Sequence, residues 1–295
     1  KDIFYDMCLV EPEQAKSGID LISERLKGLE DSIQEGDRIL QRRLSILLAS
    51  AYTLTDDYQK AGEIARKALT YAPDSFNEFD FKELGRFLAD AEQYDEAIAL
   101  YEKMADYYTK SWGSRFEPYY RLGLCYYNKG EKVKAKETWE KITEVPKWRT
   151  ANPWYFQRQQ DIFLKHQMVD EAKSIVEKWL KKYSEDKELS STVFLQAGRV
   201  AEIKEEIMSA LDYYLKTKHK VVSESRTSDW IDEYILRLFQ SRADIPTQGV
   251  GMEAFVEKID KTIKEIESSA GSEEIKQSQQ TALFVLMARL YHFQG

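Results

Sequence analysis

The sequence predicts an all-α solenoid, a row of antiparallel helix pairs in which each pair stacks on the one before. Three observations carry that reading. Alanine recurs at 61, 97, 135, 172 and 210, at intervals of 36, 38, 37 and 38 residues. Another small residue precedes it in four of the five cases, at Ala49, Gly85, Gly123 and Gly198, with Gln160 the exception. Glycine and proline are sparse, 13 and 6 in 295 residues, which suits long helices and short turns. Glycine inside a helix costs about 1 kcal/mol relative to alanine. Its reuse at one register therefore needs a packing reason: two backbones approach closely there, and large neighbours plug the gap. Such a row lengthens without a second core, so this chain length does not require two domains.

The elements follow in order. Residues 1–37 form an N-terminal helical segment, with an amphipathic helix over 12–30 that puts Ile19, Ile22, Leu26 and Leu29 on one face. It reads as a degraded repeat or a cap. Residues 38–220 hold five helix pairs, near 38–72, 75–110, 115–145, 152–183 and 188–218. Thr55-Asp56-Asp57, Gln93-Tyr94-Asp95 and Asn128-Lys129-Gly130 supply turns between first and second helices, and Pro73 and Pro146 stop second helices. Residues 221–295 hold a degenerate sixth pair over 227–268 and then one first helix. In that helix Ala288 takes the place of Gly123, Tyr291 of Tyr126 and Gly295 of Gly130. Its Leu283, Leu286 and Leu290 need covering, so it is a cap or the start of a repeat cut short, and the second is favoured. The start at Lys1 rather than Met is read in the same sense, as a missing N-terminal piece.

The layout Leu84-Gly85, Leu88, Tyr94, Ala97, Tyr101 returns as Leu122-Gly123, Tyr126, Ala135, Trp139, Ile142. It resembles the tetratricopeptide repeat (TPR) family, whose unit is a helix-turn-helix of about 34 residues. The resemblance covers 38–218. It implies a right-handed superhelix whose first helices line a concave groove, and a non-catalytic scaffold that binds a partner protein or peptide there. Some members clamp a chaperone's C-terminal carboxylate with lysines and asparagines of the first helices. Here the matching positions are Ile46, Ser50 and Glu83, which argues against that ligand. The alternative reading is a sensor or substrate-docking arm of a longer multidomain enzyme or signalling protein.

Composition bounds the function. The formal charge of −8 and pI near 5.2 argue against a sequence-independent nucleic-acid binder. No stretch approaches the roughly 18 apolar residues of a membrane span, so no membrane insertion is expected. Cys8 and Cys125 read as two reduced thiols, a usage that does not separate cytoplasm from periplasm. His166, His219 and His292 fall in no metal-ligand spacing, and no nucleophile motif is present. The glycine-rich Gly249–Met252 lacks the flanks of a phosphate loop and reads as a flexible connection. No catalytic residue, metal or cofactor is expected. Self-association stays open.

Tyr94, Tyr101, Tyr126 and Trp139 occupy packing positions, whereas Tyr120, Tyr127 and Trp154 face outward from first helices as candidate anchors. Lys82, Arg86, Arg121, Arg158 and Arg199 join them at inward positions, a set suited to an acidic or carboxylate-ended segment. Local pairing competes with that use: Glu78 with Lys82, Arg86 with Asp90, and Glu117 with Arg121, all at helix spacing. Enlarging Ala135 is expected to press on Val133 and Trp139.

Overall fold

The computed structural model describes residues 12–110, 116–144, 154–186, 189–223, 229–243, 252–269 and 272–294. Among these the chain is α-helical apart from turns and one short 3-10 segment, with no strand. It divides into two compact units, residues 1–144 and 145–295. In the first, α1 (Pro12–Lys27) precedes three pairs: α2 (Glu35–Leu54) with α3 (Tyr58–Ala68), α4 (Glu78–Asp90) with α5 (Tyr94–Lys110), and α6 (Phe116–Asn128) with α7 (Lys132–Glu140). In the second, α8 (Trp154–Lys165) pairs with α9 (Val169–Tyr183) and α10 (Ser190–Ile203) with α11 (Ile207–Ser223). Then come α12 (Asp229–Ala243), α13 (Met252–Ser268) and α14 (Glu273–Gln294). Pro146, Cys8, Gly295 and most of the glycine-rich segment lie outside the described residues.

Every turn within the five pairs is built alike. Asp56, Glu92, Gly130, Gln167 and Glu205 take left-handed backbone (φ 59°, 60°, 89°, 59° and 61°), each five residues before the register alanine. The amide that follows bonds back over the helix end: Asp57 to the carbonyl of Tyr52 at 2.9 Å, and Gln93 to Leu88, Glu131 to Tyr126, Met168 to Phe163 and Glu206 to Ala201, each at 2.8 Å. This six-to-one bond satisfies a carbonyl that the helix leaves without a partner. Only Gly130 adopts the conformation without a Cβ penalty.

The register alanines, Ala61, Ala97, Ala135, Ala172 and Ala210, are fully buried. Sixteen residues after Gly85, Gly123 and Gly198 stand Tyr101, Trp139 and Tyr214, and a methyl added at each glycine would overlap that ring. The rings are buried, yet their polar atoms are satisfied. Trp139 Nε1 donates to the Tyr120 carbonyl at 3.1 Å, and the Tyr214 hydroxyl donates to Glu202 at 2.5 Å. Val133 is 71% exposed, so a larger residue at 135 does not press on it, contrary to expectation; alternate helix faces separate the two positions.

Two pairs lack the glycine and use a buried polar side chain instead. Arg42 on α2 donates to the carbonyls of Tyr71, Ala72 and Ser75 at 2.9, 2.7 and 3.1 Å. It also pairs with Asp80 at 3.1 Å, both side chains being almost wholly buried. Asp80 in turn completes the capping box with Asn77 that starts α4. Gln160 on α8 donates to the side chain of Gln196 on α10 at 3.2 Å.

At the end of the second unit, α13 has α14 and α11 as its chief partners rather than α12, with which the sequence pairs it. The reason is apolar matching: Ile259, Ile263 and Ile266 share one buried cluster with Leu283, Leu286 and Leu290. A buried Lys218–Asp232 ion pair takes in Arg289 of α14 at 3.3 Å, and Gln279 donates to the His219 carbonyl at 3.3 Å.

Candidate functional site

The predicted site residues fall into two groups, one in each unit. In the first, α4 and α6 present Lys82, Arg86, Tyr120, Arg121 and Tyr127, all half-buried. Arg86 donates two bonds to Glu83, at 2.8 and 3.2 Å, and one to Asp90 at 3.4 Å. Its guanidinium lies over the Phe87 ring at 4.3 Å. Arg121 donates to Glu117 at 2.6 Å. Burial opposes its charge, but Tyr101 and Glu117 beside it restore and exceed what burial removes. Burial raises the Asp90 carboxyl above its ordinary range, against the pull of Arg86 and Arg121. Asp90 thus feels both arginines, and Glu83, Arg86, Asp90, Arg121 and Glu117 form one charge network. Lys82 does not join it and forms no ion pair among the described residues.

The aromatics differ in placement. Tyr120 stacks on Phe116 at 5.4 Å, and Tyr127 packs against Trp139 at 5.9 Å with the Lys132 ammonium over its ring at 5.7 Å. Both are therefore partly engaged in packing. Tyr101 and Trp139 are core, as expected, and Tyr94 and Tyr126 pack half-buried against it. Sequence reasoning passed over Phe79, which is 52% exposed one turn before Lys82. Its only signal is an aromatic at an outward first-helix position. Ile46 is buried, Ser50 bonds the Ile46 carbonyl at 2.9 Å and Glu83 is bound to Arg86, so none of the three resembles a carboxylate clamp.

In the second unit Trp154 is 54% exposed and Arg158 is exposed on the same helix. Arg199 donates to Gln196 at 2.9 Å, and its charge draws down the Asp161 carboxyl, which burial raises overall. Burial pushes the Cys125 thiol up to about 12, which leaves it a poor nucleophile at neutral pH. Among the described residues no group of three or more His, Cys, Asp or Glu could hold a metal ion, and no helix is long and apolar enough to cross a membrane.

Tetratricopeptide repeat models match residues 43–75 and 119–147, the first and third of the helix pairs above. Over those residues the chain carries tetratricopeptide repeats. It is thus a helical-repeat scaffold of the kind that binds other proteins. A search of curated proteins returned no match. Among solved structures, the C-terminal part of a TPR repeat-containing protein from Cytophaga hutchinsonii is 17% identical, over 91% of this chain and 99% of that one, with a TM-score of 0.45. A Podosopora anserina putative kinesin light chain with nearly identical TPR-like repeats is 16% identical, over 63% and 97%, with a TM-score of 0.39. Pseudomonas aeruginosa pilF is 20% identical, over 70% and 92%, with a TM-score of 0.36.

Proposed function

We propose that this TPR protein captures an acidic segment of a partner protein on the first-helix face of its first unit. Lys82 carries the reading. It is a cation with no ion pair among the described residues, one turn from exposed Phe79 and one turn from Arg86. Arg86 and Arg121 hold carboxylates of their own helices through partly exposed pairs, each worth about 0.2–1 kcal/mol. An incoming carboxylate exchanges with Glu83 or Glu117 at little cost, and the planar arginine fork receives it through two bonds. Phe79, Tyr120 and Tyr127 supply apolar contact beside the charges. Trp154, Arg158 and Arg199 are a second contact of the same kind in the second unit.

A peptide array probed with the full chain tests this. Bound peptides should be enriched in Asp and Glu around one apolar residue, and binding should fall steeply with salt. Lys82→Glu should weaken it at least tenfold with an unchanged thermal melt. Enrichment indifferent to acidic residues, or binding that survives Lys82→Glu at low salt, overturns the reading.

A further inference from the structure

A cavity of about 230 Å³ opens between α1, α2 and α3 in the first unit. Buried Ser45 and Leu48 of α2 form its floor, and half-buried Leu26, Ile64 and Tyr71 wall it. Two consecutive residues of α2 hold the walls in place. Gln41, 1% exposed, donates to the Leu29 carbonyl just after α1, and Arg42, 2% exposed, donates to the Tyr71 carbonyl at 2.9 Å. Buried polar bonds thus frame the space on both sides, so it is not a gap left by loose packing. The exposed rim is charged, and its balance is positive. Lys67 donates to Glu30 at 3.0 Å, and that bond first, with Tyr71 beside it, raises the ammonium above its ordinary value. Lys27, also on the rim, forms no ion pair among the described residues. Two ammoniums against one carboxylate leave one positive charge to be met.

We infer that this cavity binds a short organic monocarboxylate, its apolar body against Leu26, Leu48 and Ile64 and its carboxylate at Lys27 and Lys67. The volume lies below the roughly 300–1,000 Å³ of pockets for drug-sized ligands, so the occupant is small. Glu30 already shows that Lys67 accepts a carboxylate at this rim. That pair is more than half exposed on both sides, worth about 0.2–1 kcal/mol, and an incoming carboxylate exchanges with it at little cost. Glu30 also repels a second negative charge, which disfavours a phosphate monoester, close to a dianion at neutral pH. An inorganic anion would leave the apolar walls unused. A bound monocarboxylate touches all three helices at once and so ties α1 to the first pair. The cavity shares no residue with the charged face of α4 and α6, and its use does not depend on partner capture there.

The test titrates the full chain with hexanoate and, separately, with 1-hexanol, following backbone amides by NMR. Hexanoate should give saturable shifts confined to residues 23–30, 41–48 and 64–71, and should raise the melting temperature. The alcohol should bind at least tenfold more weakly. Lys27→Glu, at an exposed position, should weaken hexanoate at least tenfold, keep the wild-type melt and leave the alcohol unaffected. Ser23→Phe, which puts a ring into the lining, should abolish binding of both. No shift at millimolar hexanoate, shifts spread over lysines throughout the chain, equal affinity for the alcohol, or hexanoate binding that survives Lys27→Glu each overturns the inference. So does an acidic peptide that occupies the same amides more tightly than hexanoate, since a partner protein would then own the cavity.

Discussion

The pairs α6/α7 and α8/α9 solve one packing problem in opposite ways. In α6/α7 a glycine leaves room and Trp139 fills it, with its indole nitrogen bonded across to the Tyr120 carbonyl, so the two helices of the pair are locked to each other. In α8/α9 the same position is Gln160, and its amide bonds to Gln196 of the following first helix. The pair α2/α3 sides with the second solution, through Arg42. A ring in a slot secures a pair internally. A buried polar side chain secures a pair to its neighbour, and removing its partner there is costly.

That contrast can be broken from either side, and the largest loss should come from the polar side. Arg42→Ala leaves the Asp80 carboxylate buried without its partner and frees three carbonyls, so it should cost about 3–5 kcal/mol in denaturant unfolding. Gly123→Ala should cost about 2 kcal/mol, overpacking against Trp139 outweighing the roughly 1 kcal/mol that alanine gains in a helix. Adding Trp139→Leu to that variant should give a double loss smaller than the sum of the singles; strict additivity would mean the two residues do not share the slot. Gln160→Ala should cost only about 1 kcal/mol, since the oxygen of its amide has no partner and the Gln196 oxygen keeps Arg199. Smallest and opposite in sign, Glu92→Gly or Glu205→Gly should stabilise by about 0.5–1 kcal/mol by relieving a left-handed turn, whereas Gly130→Ala should destabilise by a similar amount.

The parts of this fold legible in the sequence are those that packing forces into a fixed residue type. Only a small side chain fits where two backbones meet, so the alanine register and the glycines opposite it stand out. The local pairs Arg86–Asp90 and Glu117–Arg121 were legible too, because helix spacing alone brings them together. Arg42, Lys218 and Asp232 were not. A lone charged residue in a helix reads as solvated, and its burial depends on a loop or helix many residues away. The left-handed turns were equally hidden at Asp56, Glu92, Gln167 and Glu205, where the closing hydrogen bond is between backbone groups and asks nothing of the side chain. On α14 the stripe of Leu283, Leu286 and Leu290 is legible because helix spacing alone puts the three on one face.

The five identical helix-closing turns also bear on how the chain yields under load. Each turn ends one first helix with a backbone bond, and the strain of a left-handed residue, of order 1–2 kcal/mol away from glycine, is held only while the pair around it stays packed. Under tension within either unit, the loss of a pair releases that strain together with its contacts, so pairs give way whole rather than fraying residue by residue. At roughly 3.5 Å of contour per residue, the 36–38-residue period makes each such event a lengthening of about 130 Å. The repeat is then a unit of extension as well as of packing.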